Sequence, residues 1–388
     1  MLPTRVRPLQ HHHERIPSSS HNLTSTPQPT TEIPSSPSSP LSSASTDDVE
    51  DLLTSFLPHL YPDEAPSCLG EPGKTIVYAS GVWGDVRVMV PDYPRAVGEE
   101  GKLEKRKGDG EEEEEQYGIE EGRRLFAHYL WGGALVVAEG IERATKALDG
   151  NDVGGEERDL IWSVKGEKVL ELGAGAALPS LISGLASAAQ VAITDHPSSP
   201  ALYGAIQTNV ATNIPEHLQS KISIHTHEWG VLGPDESNEN EVQSPQKLES
   251  LRFTRENQGS FTRIIAADCL WMREQHENLV QSILWFLAPP PLLPPSSSPS
   301  PSRVNGGDGL AGGIAWVVAG FHTGREIVAS FFETAMSMGL VVERIWERDV
   351  NATYEEGEVT REWMPVRPGE GPENRARWCV VAFLKKRG

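Results

Sequence analysis

The residues best placed to do chemistry stand at the ends of short apolar runs. In "KVLELGAGAALPSL", residues 168 to 181, the run reaches Glu171 and then turns through Gly173 and Gly175. Further on, "QVAIT" is closed by Asp195, "HEWG" sets Trp229 and Gly230 behind a third run, and "IIAA" is closed by Asp268. A glycine turn lets backbone approach a ligand with no Cβ in the way. A helix opening directly after it aims free N–H groups at the same space, which suits a carboxylate. Glu171 at the strand tip would face a cationic amine. Asp195 offers the two acceptor oxygens needed to grip both hydroxyls of a ribose.

An amino-acid head near the glycine turn and a nucleoside near Asp195 describe one common cofactor, S-adenosylmethionine. The rival dinucleotide fingerprint would put its third small residue at position 178, and that residue is Leu178, which obstructs close helix–strand packing under a pyrophosphate. An acidic residue followed by alternating glycines is the methyltransferase form of the turn. A sulfonium methyl is already activated, so such a site must align a neutral nitrogen and exclude water. Asp268 could orient a lysine-like amine, and Trp271 could stack on a cation or on a pyridine ring. No separate catalytic base is legible.

Strands and helices must alternate to hold these residues. "KVLEL", "QVAIT", "KISIHTH", "TRIIAAD" and "GGIAWVVAGF" read as buried strands, and helices are expected from Pro179, over about 199–213, over 274–287 and over 324–338. A helix also fits "GRRLFAHYLWGGALVVAEGIERAT", with Trp131 at its start. The pattern predicts an α/β, doubly wound, mostly parallel sheet. "LVVERIW" and "RWCVVAFLKK" close it as a hairpin, which makes one C-terminal strand antiparallel. In an open parallel sheet ligands sit beyond the carboxyl ends of the strands, where the order reverses. The candidate residues fall at those ends.

The chain resembles the seven-strand S-adenosylmethionine-dependent methyltransferases of family 16, in the protein-lysine branch that includes fungal nicotinamide N-methyltransferase-like members. The resemblance covers roughly residues 125 to 385. It rests on "LWGGALVVAEGI", "VLELGAGAALPSL", "ITDHP", "HEWG", "IIAADCLWMREQHENL" and "WVVAGFHTGR". It implies that Trp131 lines the cofactor pocket and that Glu171, Gly173 and Gly175 hold the methionine portion. It further implies that Asp195 binds the ribose, Trp229 sits by the adenine, and Asp268 faces cofactor and substrate amine with Trp271 beside it. Two departures stand out. Ala177 replaces the usual third glycine and is expected to adopt right-handed helical geometry at little cost. Trp271 replaces the usual Tyr or Phe, which alters the amine channel.

Bland alternatives compete. Asp195 could cap the helix after Pro197, Asp268 could be a first-turn helix acid, and Trp131 and Trp229 could be core aromatics. His276 fits a packing role, and His322, in "GFHTGR", is a weak substrate contact outside the site set.

The formal charge of −21 over 388 residues excludes bulk attraction to nucleic acid or acidic membrane. It suits a basic protein partner. Cys68, Cys269 and Cys379 are odd in number and far apart, giving no disulfide framework and no metal site. With no membrane span and no secretory leader legible, the chain reads as cytoplasmic and monomeric. Residues 1–47 are Ser/Pro-rich and expected to be disordered. Residues 48–124 form an extension, with a helix at "DDVEDLLTSFL", strands at "KTIVYAS" and "DVRVMV", and a mobile acidic loop at 99–121. Residues 125–388 form the methyltransferase domain, with surface insertions at 231–260 and 288–312. The expected reaction is N-methylation of a protein lysine or N-terminal amine, with an elongation-factor-like target. A nicotinamide-like small acceptor is the second reading, and an inactive binding module the third.

Overall fold

In a computed structural model, residues 2–9, 68–92, 129–150, 159–233, 244–290, 312–352 and 358–387 are described. The expected helix at "DDVEDLLTSFL" and the acidic loop at 99–121 lie outside these residues.

In chain order the described elements begin with β1 (Val6–Pro8), β2 (Cys68–Leu69), β3 (Thr75–Ser80), β4 (Gly84–Met89), β5 (Leu130–Trp131) and α1 (Gly132–Leu148). Next come β6 (Lys168–Leu172), α2 (Leu178–Leu185), β7 (Gln190–Asp195), α3 (Ala205–Asn213), the short α4 (Glu216–Gln219) and β8 (Ile222–Thr226). They continue with α5 (Pro245–Glu256), β9 (Arg263–Ala267), α6 (His276–Phe286), β10 (Ile314–Gly320) and α7 (Arg325–Ser337). The last are β11 (Leu340–Asp349), β12 (Thr360–Glu362), α8 (Pro372–Ala376) and β13 (Trp378–Lys386).

The central sheet runs β12-β11-β13-β10-β9-β6-β7-β8. From β10 through β9, β6 and β7 to β8 every pairing is parallel, while β13 is antiparallel to both β10 and β11. This is the expected α/β, doubly wound, mostly parallel sheet with an antiparallel C-terminal strand, with eight strands in place of the expected seven because the short β12 pairs antiparallel on the edge of β11. The chain leaves β6 toward β7 and β8, then returns to lay β9 on the other side of β6. That reversal opens a crevice above the carboxyl ends of β6 and β9.

Strand residues alternate between two apolar layers. Val169, Ile193, Ile265, Trp316 and Val318 face one core, shared with Leu135 and Ile141 of α1 and with Leu178, Leu181 and Ile182 of α2. Leu170, Ala192, Ile264, Ala315 and Val317 face the other, shared with Leu279 and Ile283 of α6 and Val328 and Phe331 of α7. All seven residues of β10 are buried, as a central strand covered on both faces requires. Pro179 occupies the first turn of α2, where its missing N–H costs no helix bond.

Four sequence expectations change. Residues 2–9, inside the expected disordered tail, are ordered: β1 pairs with β3, and Leu2 is buried with its N–H on the Val350 carbonyl. The insertion expected at 231–260 contains α5, capped by the Ser244 side chain and packed through Phe253 and Thr254. β11 and β13 are not joined as a plain hairpin; β12 and α8 lie between them. There, buried Glu347 is gripped by Arg325, Arg361 and Arg367. Finally, Ala177 adopts the left-handed conformation, φ 61° and ψ 27°, as the cap residue of α2. The right-handed geometry expected for it is thereby corrected. Such a backbone costs an L-residue about 1–2 kcal/mol.

Candidate active site

One cavity of about 1110 Å³, open solvent at its mouth included, lies above the switch point between β6 and β9. All eight sequence candidates line it: Trp131, Glu171, Gly173, Gly175, Asp195, Trp229, Asp268 and Trp271. The sequence reasoning omitted Tyr129 and His227, and left out His322, which also reach its wall.

The glycine turn is built by close approach. Gly173 has φ 66°, and a Cβ there would stand 2.9 Å from Cys269 Sγ and 3.0 Å from Trp229 Cζ2. The turn therefore packs against both later strand ends. Cys269 is held by its thiol donating to the Leu172 carbonyl at 3.2 Å, a packing role that agrees with its burial. At Gly175 (φ 50°) a Cβ would meet nothing within 4 Å. That open space is the approach a ligand needs.

Glu171 is 2 % exposed. Its carboxylate accepts from the Ser180 N–H at 3.1 Å and from the Ser180 hydroxyl in a shorter contact. Burial pushes its carboxyl up to about 8 against the pull of these bonds. Among the described residues no cationic side chain pairs with it. A buried acid in that condition favours a cationic group brought by a ligand.

Asp195 closes β7. Oδ2 accepts from the Gly175 N–H at 2.8 Å and Oδ1 from the His196 N–H at 2.7 Å. It thus ties its own loop to the glycine turn, while burial raises its pKa in spite of those bonds. The Ser199 side chain hydrogen-bonds it as well, which leaves about one of its four lone-pair sites for a ligand hydroxyl. The Thr194 hydroxyl donates to the Glu171 carbonyl at 2.7 Å, locking the two strand tips together.

The loop after β8 carries Trp229 on a polar relay. The Gly230 N–H donates to Ser282 Oγ at 3.0 Å, that hydroxyl lies 3.0 Å from His227 Nε2, and His227 Nδ1 is 3.2 Å from Thr254 Oγ1. Burial drives the imidazole down to about 4, so it is neutral near pH 7. The sequence signal for His227 was its place at a strand end, in "HTHEWG".

Asp268 is a knot rather than a loose acid. Its backbone is left-handed at φ 55°, and its side chain is 3 % exposed. Oδ2 accepts from the Gly133 N–H at 2.6 Å and Oδ1 from the Gly320 N–H at 2.8 Å. A Cβ at Gly133 would stand 2.5 Å from Oδ2, so glycine is required there. The start of α1 and the end of β10 are thus pinned to the end of β9. Around this knot stand Trp131, tilted on His322 at 4.8 Å between ring centroids, and Tyr129, edge-on to Trp131 at 6.1 Å. His276 is bound to the Leu270 carbonyl at 3.0 Å and packs on Phe331; it does not line the cavity.

Residues 113–291 match the family model described as lysine methyltransferase, Methyltransf_16. The chain is a methyltransferase, similar over these residues to the family 16 lysine methyltransferases. It is 27 % identical over 240 residues to the protein N-terminal and lysine N-methyltransferase EFM7 of Candida glabrata, covering 61 % of this chain and 73 % of that one. To the efm7 protein of Schizosaccharomyces pombe it is 27 % identical over 236 residues, covering 60 % and 71 %. To EFM7 of Gibberella zeae it is 28 % identical over 233 residues, covering 57 % and 69 %.

The cofactor of this methyltransferase is S-adenosylmethionine, and the residues present fit it. Glu171 is a buried acid in want of a cation, Gly175 fronts open space, and Asp195 has acceptor capacity beside them. When bound, the cofactor supplies an electrophilic methyl group on a sulfonium. The protein's task is then to hold the acceptor nitrogen and keep water out. Among the described residues no helix is long and apolar enough to cross a membrane.

Proposed function

We propose that this methyltransferase methylates an amine of a protein, either a lysine side chain or an N-terminus. The observation that carries the reading is the division of the cavity. Glu171, the glycine turn and Asp195 form an acidic and backbone-lined half suited to the amino-acid and ribose parts of the cofactor. Tyr129, Trp131 and His322 gather around Asp268, and with Trp271 in the same lining they give an aromatic wall suited to stripping water from an alkyl ammonium and holding it by cation–π contact. The relatives named as protein N-terminal and lysine N-methyltransferases agree with this. In this reading Trp131, Glu171, Gly173, Gly175, Asp195 and Trp229 bind cofactor, while Asp268 and Trp271 form the acceptor end.

The target we favour is a translation factor acting in the cytoplasm, met by a monomeric enzyme. The net charge of −21 draws a basic partner and repels polyanions. Trp271, in place of the smaller aromatic, keeps a second reading open, since an indole stacks equally well on a pyridine ring such as nicotinamide. Tritiated S-adenosylmethionine offered with heat-inactivated cell extract, or with nicotinamide, separates the two. Label in acid-precipitable protein is the expected result. Label in nicotinamide alone would transfer the assignment to the small acceptor. Label in neither, with the cofactor bound, would leave a binding module.

A further inference from the structure

His322 is a polar group of the cavity to which the roles above give no proton chemistry. Its side chain is 15 % exposed, and its Nε2 lies 3.5 Å from Asp268 Oδ1. Both ring nitrogens are closed to water, and neither makes a hydrogen bond of good geometry. A buried donor or acceptor left in that state costs about 1–3 kcal/mol. Such groups are uncommon and call for an explanation, a catalytic role among them. The ring is seated deliberately: a Cβ at Gly320 would stand 2.4 Å from Nε2, so the glycine ending β10 makes room for it. Trp131 covers its other side.

The charged and titratable groups around this ring are few. Asp268, from the end of β9, faces Nε2, and Tyr129 stands beyond Trp131. Glu171, Asp195, His196, His227 and Cys269 line the same cavity. Arg325, three residues on, is committed to Glu347 and Glu370. Asp268 already receives two backbone N–H groups, so its carboxylate is better placed to orient a neighbour than to take a proton itself.

We propose that His322 is the proton acceptor for the incoming amine, with Asp268 as the carboxylate that orients it. The inference rests on the protein-amine reading above. A lysine ammonium, with an ordinary pKa near 10.4, arrives protonated at neutral pH and has no lone pair to donate. In the proposed step an N–H bond of the ammonium breaks and its electron pair stays on the nitrogen. The proton passes to Nδ1, and the resulting imidazolium is held by Nε2–H against the Asp268 carboxylate. The freed lone pair then forms the N–C bond as the C–S bond breaks and its electrons leave with sulfur. The proton on His322 returns to water when the product departs. The 3.5 Å separation from Asp268 is of the kind that tightens only when a reacting complex forms, and the ring must turn to present Nδ1.

The test compares wild type with His322→Phe and His322→Gln. Labelled methyl transfer into heat-inactivated extract protein is followed from pH 6.5 to 9.5, with calorimetric binding of S-adenosylhomocysteine measured alongside. The expected loss at pH 7 is about a hundredfold for both variants. It should shrink to about tenfold or less at pH 9.5, where free amine is plentiful, with S-adenosylhomocysteine affinity within about threefold of wild type. A loss independent of pH, no loss, or a Gln variant as active as wild type would overturn the proposal. So would loss of S-adenosylhomocysteine binding in both variants, which would make His322 a wall of the cofactor site. Failure of the wild type itself to transfer label would instead strike the protein-amine reading on which the proposal rests.

Discussion

Gly173→Ala probes how the glycine turn, the Cys269 strand end and the Trp229 loop are built into one another. Two costs add. The position is left-handed, φ 66°, which an alanine resists by about 1–2 kcal/mol. The new methyl would also stand 2.9 Å from Cys269 Sγ and 3.0 Å from Trp229 Cζ2, and forcing such overpacking costs about 1–3 kcal/mol. The sum is about 2–5 kcal/mol, or a fall of about 5–15 °C in melting temperature for a domain of this size. Gly175→Ala is the matched control. It carries the same left-handed cost, φ 50°, but its methyl would meet nothing within 4 Å, so about 1–2 kcal/mol is expected. Urea unfolding of the two variants reads the difference directly. The crowding argument is refuted if Gly175→Ala loses as much stability as Gly173→Ala. Cofactor binding should divide in another way: Gly175→Ala intrudes on open cavity, and Gly173→Ala displaces the Trp229 wall, so both should bind S-adenosylhomocysteine weakly.

Three further outcomes follow from the same geometry. Ala177→Gly should stabilise the protein by up to about 1 kcal/mol, because relief of the left-handed strain exceeds the added unfolded-state entropy; a lower urea midpoint would contradict it. Glu171 has a folded pKa raised to about 8 from an ordinary 4.5. Its contribution to stability is therefore full below about pH 4.5 and is lost as pH rises through 8, a swing on the order of a few kcal/mol. Glu171→Gln should flatten that slope between pH 5 and 9 in thermal melts, and an unchanged slope would count against a buried protonated carboxyl. Ser282→Ala removes the partner of both the Gly230 N–H and His227 Nε2. It should cost about 1–3 kcal/mol and loosen the Trp229 turn, read as weaker S-adenosylhomocysteine binding; retention of both stability and affinity would dismiss the relay.

What was legible in the sequence, and what was not, divides along physical lines. The parallel strands were readable because β6, β7, β9 and β10 are buried on both faces and so are apolar almost without break. Their ends then located Glu171, Asp195 and Asp268 on one rim. The C-terminal region was misread because charge pairing, not apolar periodicity, organises it: Glu347 is buried among arginines from the start of α7, from β12 and from the segment after β12. Helix α5 escaped because only Phe253 and Thr254 of it are buried, although Ser244 and Pro245 carry a cap signal. The departures at the site itself are conformational. Asp268 and Ala177 take left-handed backbones that neither residue type announces. The hydrogen bonds that occupy Asp268 come from glycines in two other elements, Gly133 and Gly320. Spacing in the sequence carries no trace of them.

The most direct test of the whole account is calorimetric titration of the purified protein with S-adenosylhomocysteine, beside an Asp195→Ala variant of unchanged circular dichroism. The account predicts micromolar binding to the wild type and a loss of at least tenfold in the variant. An absence of binding to a folded wild type would contradict it. So would a variant that binds as well as the parent, which would remove Asp195 from the cofactor site.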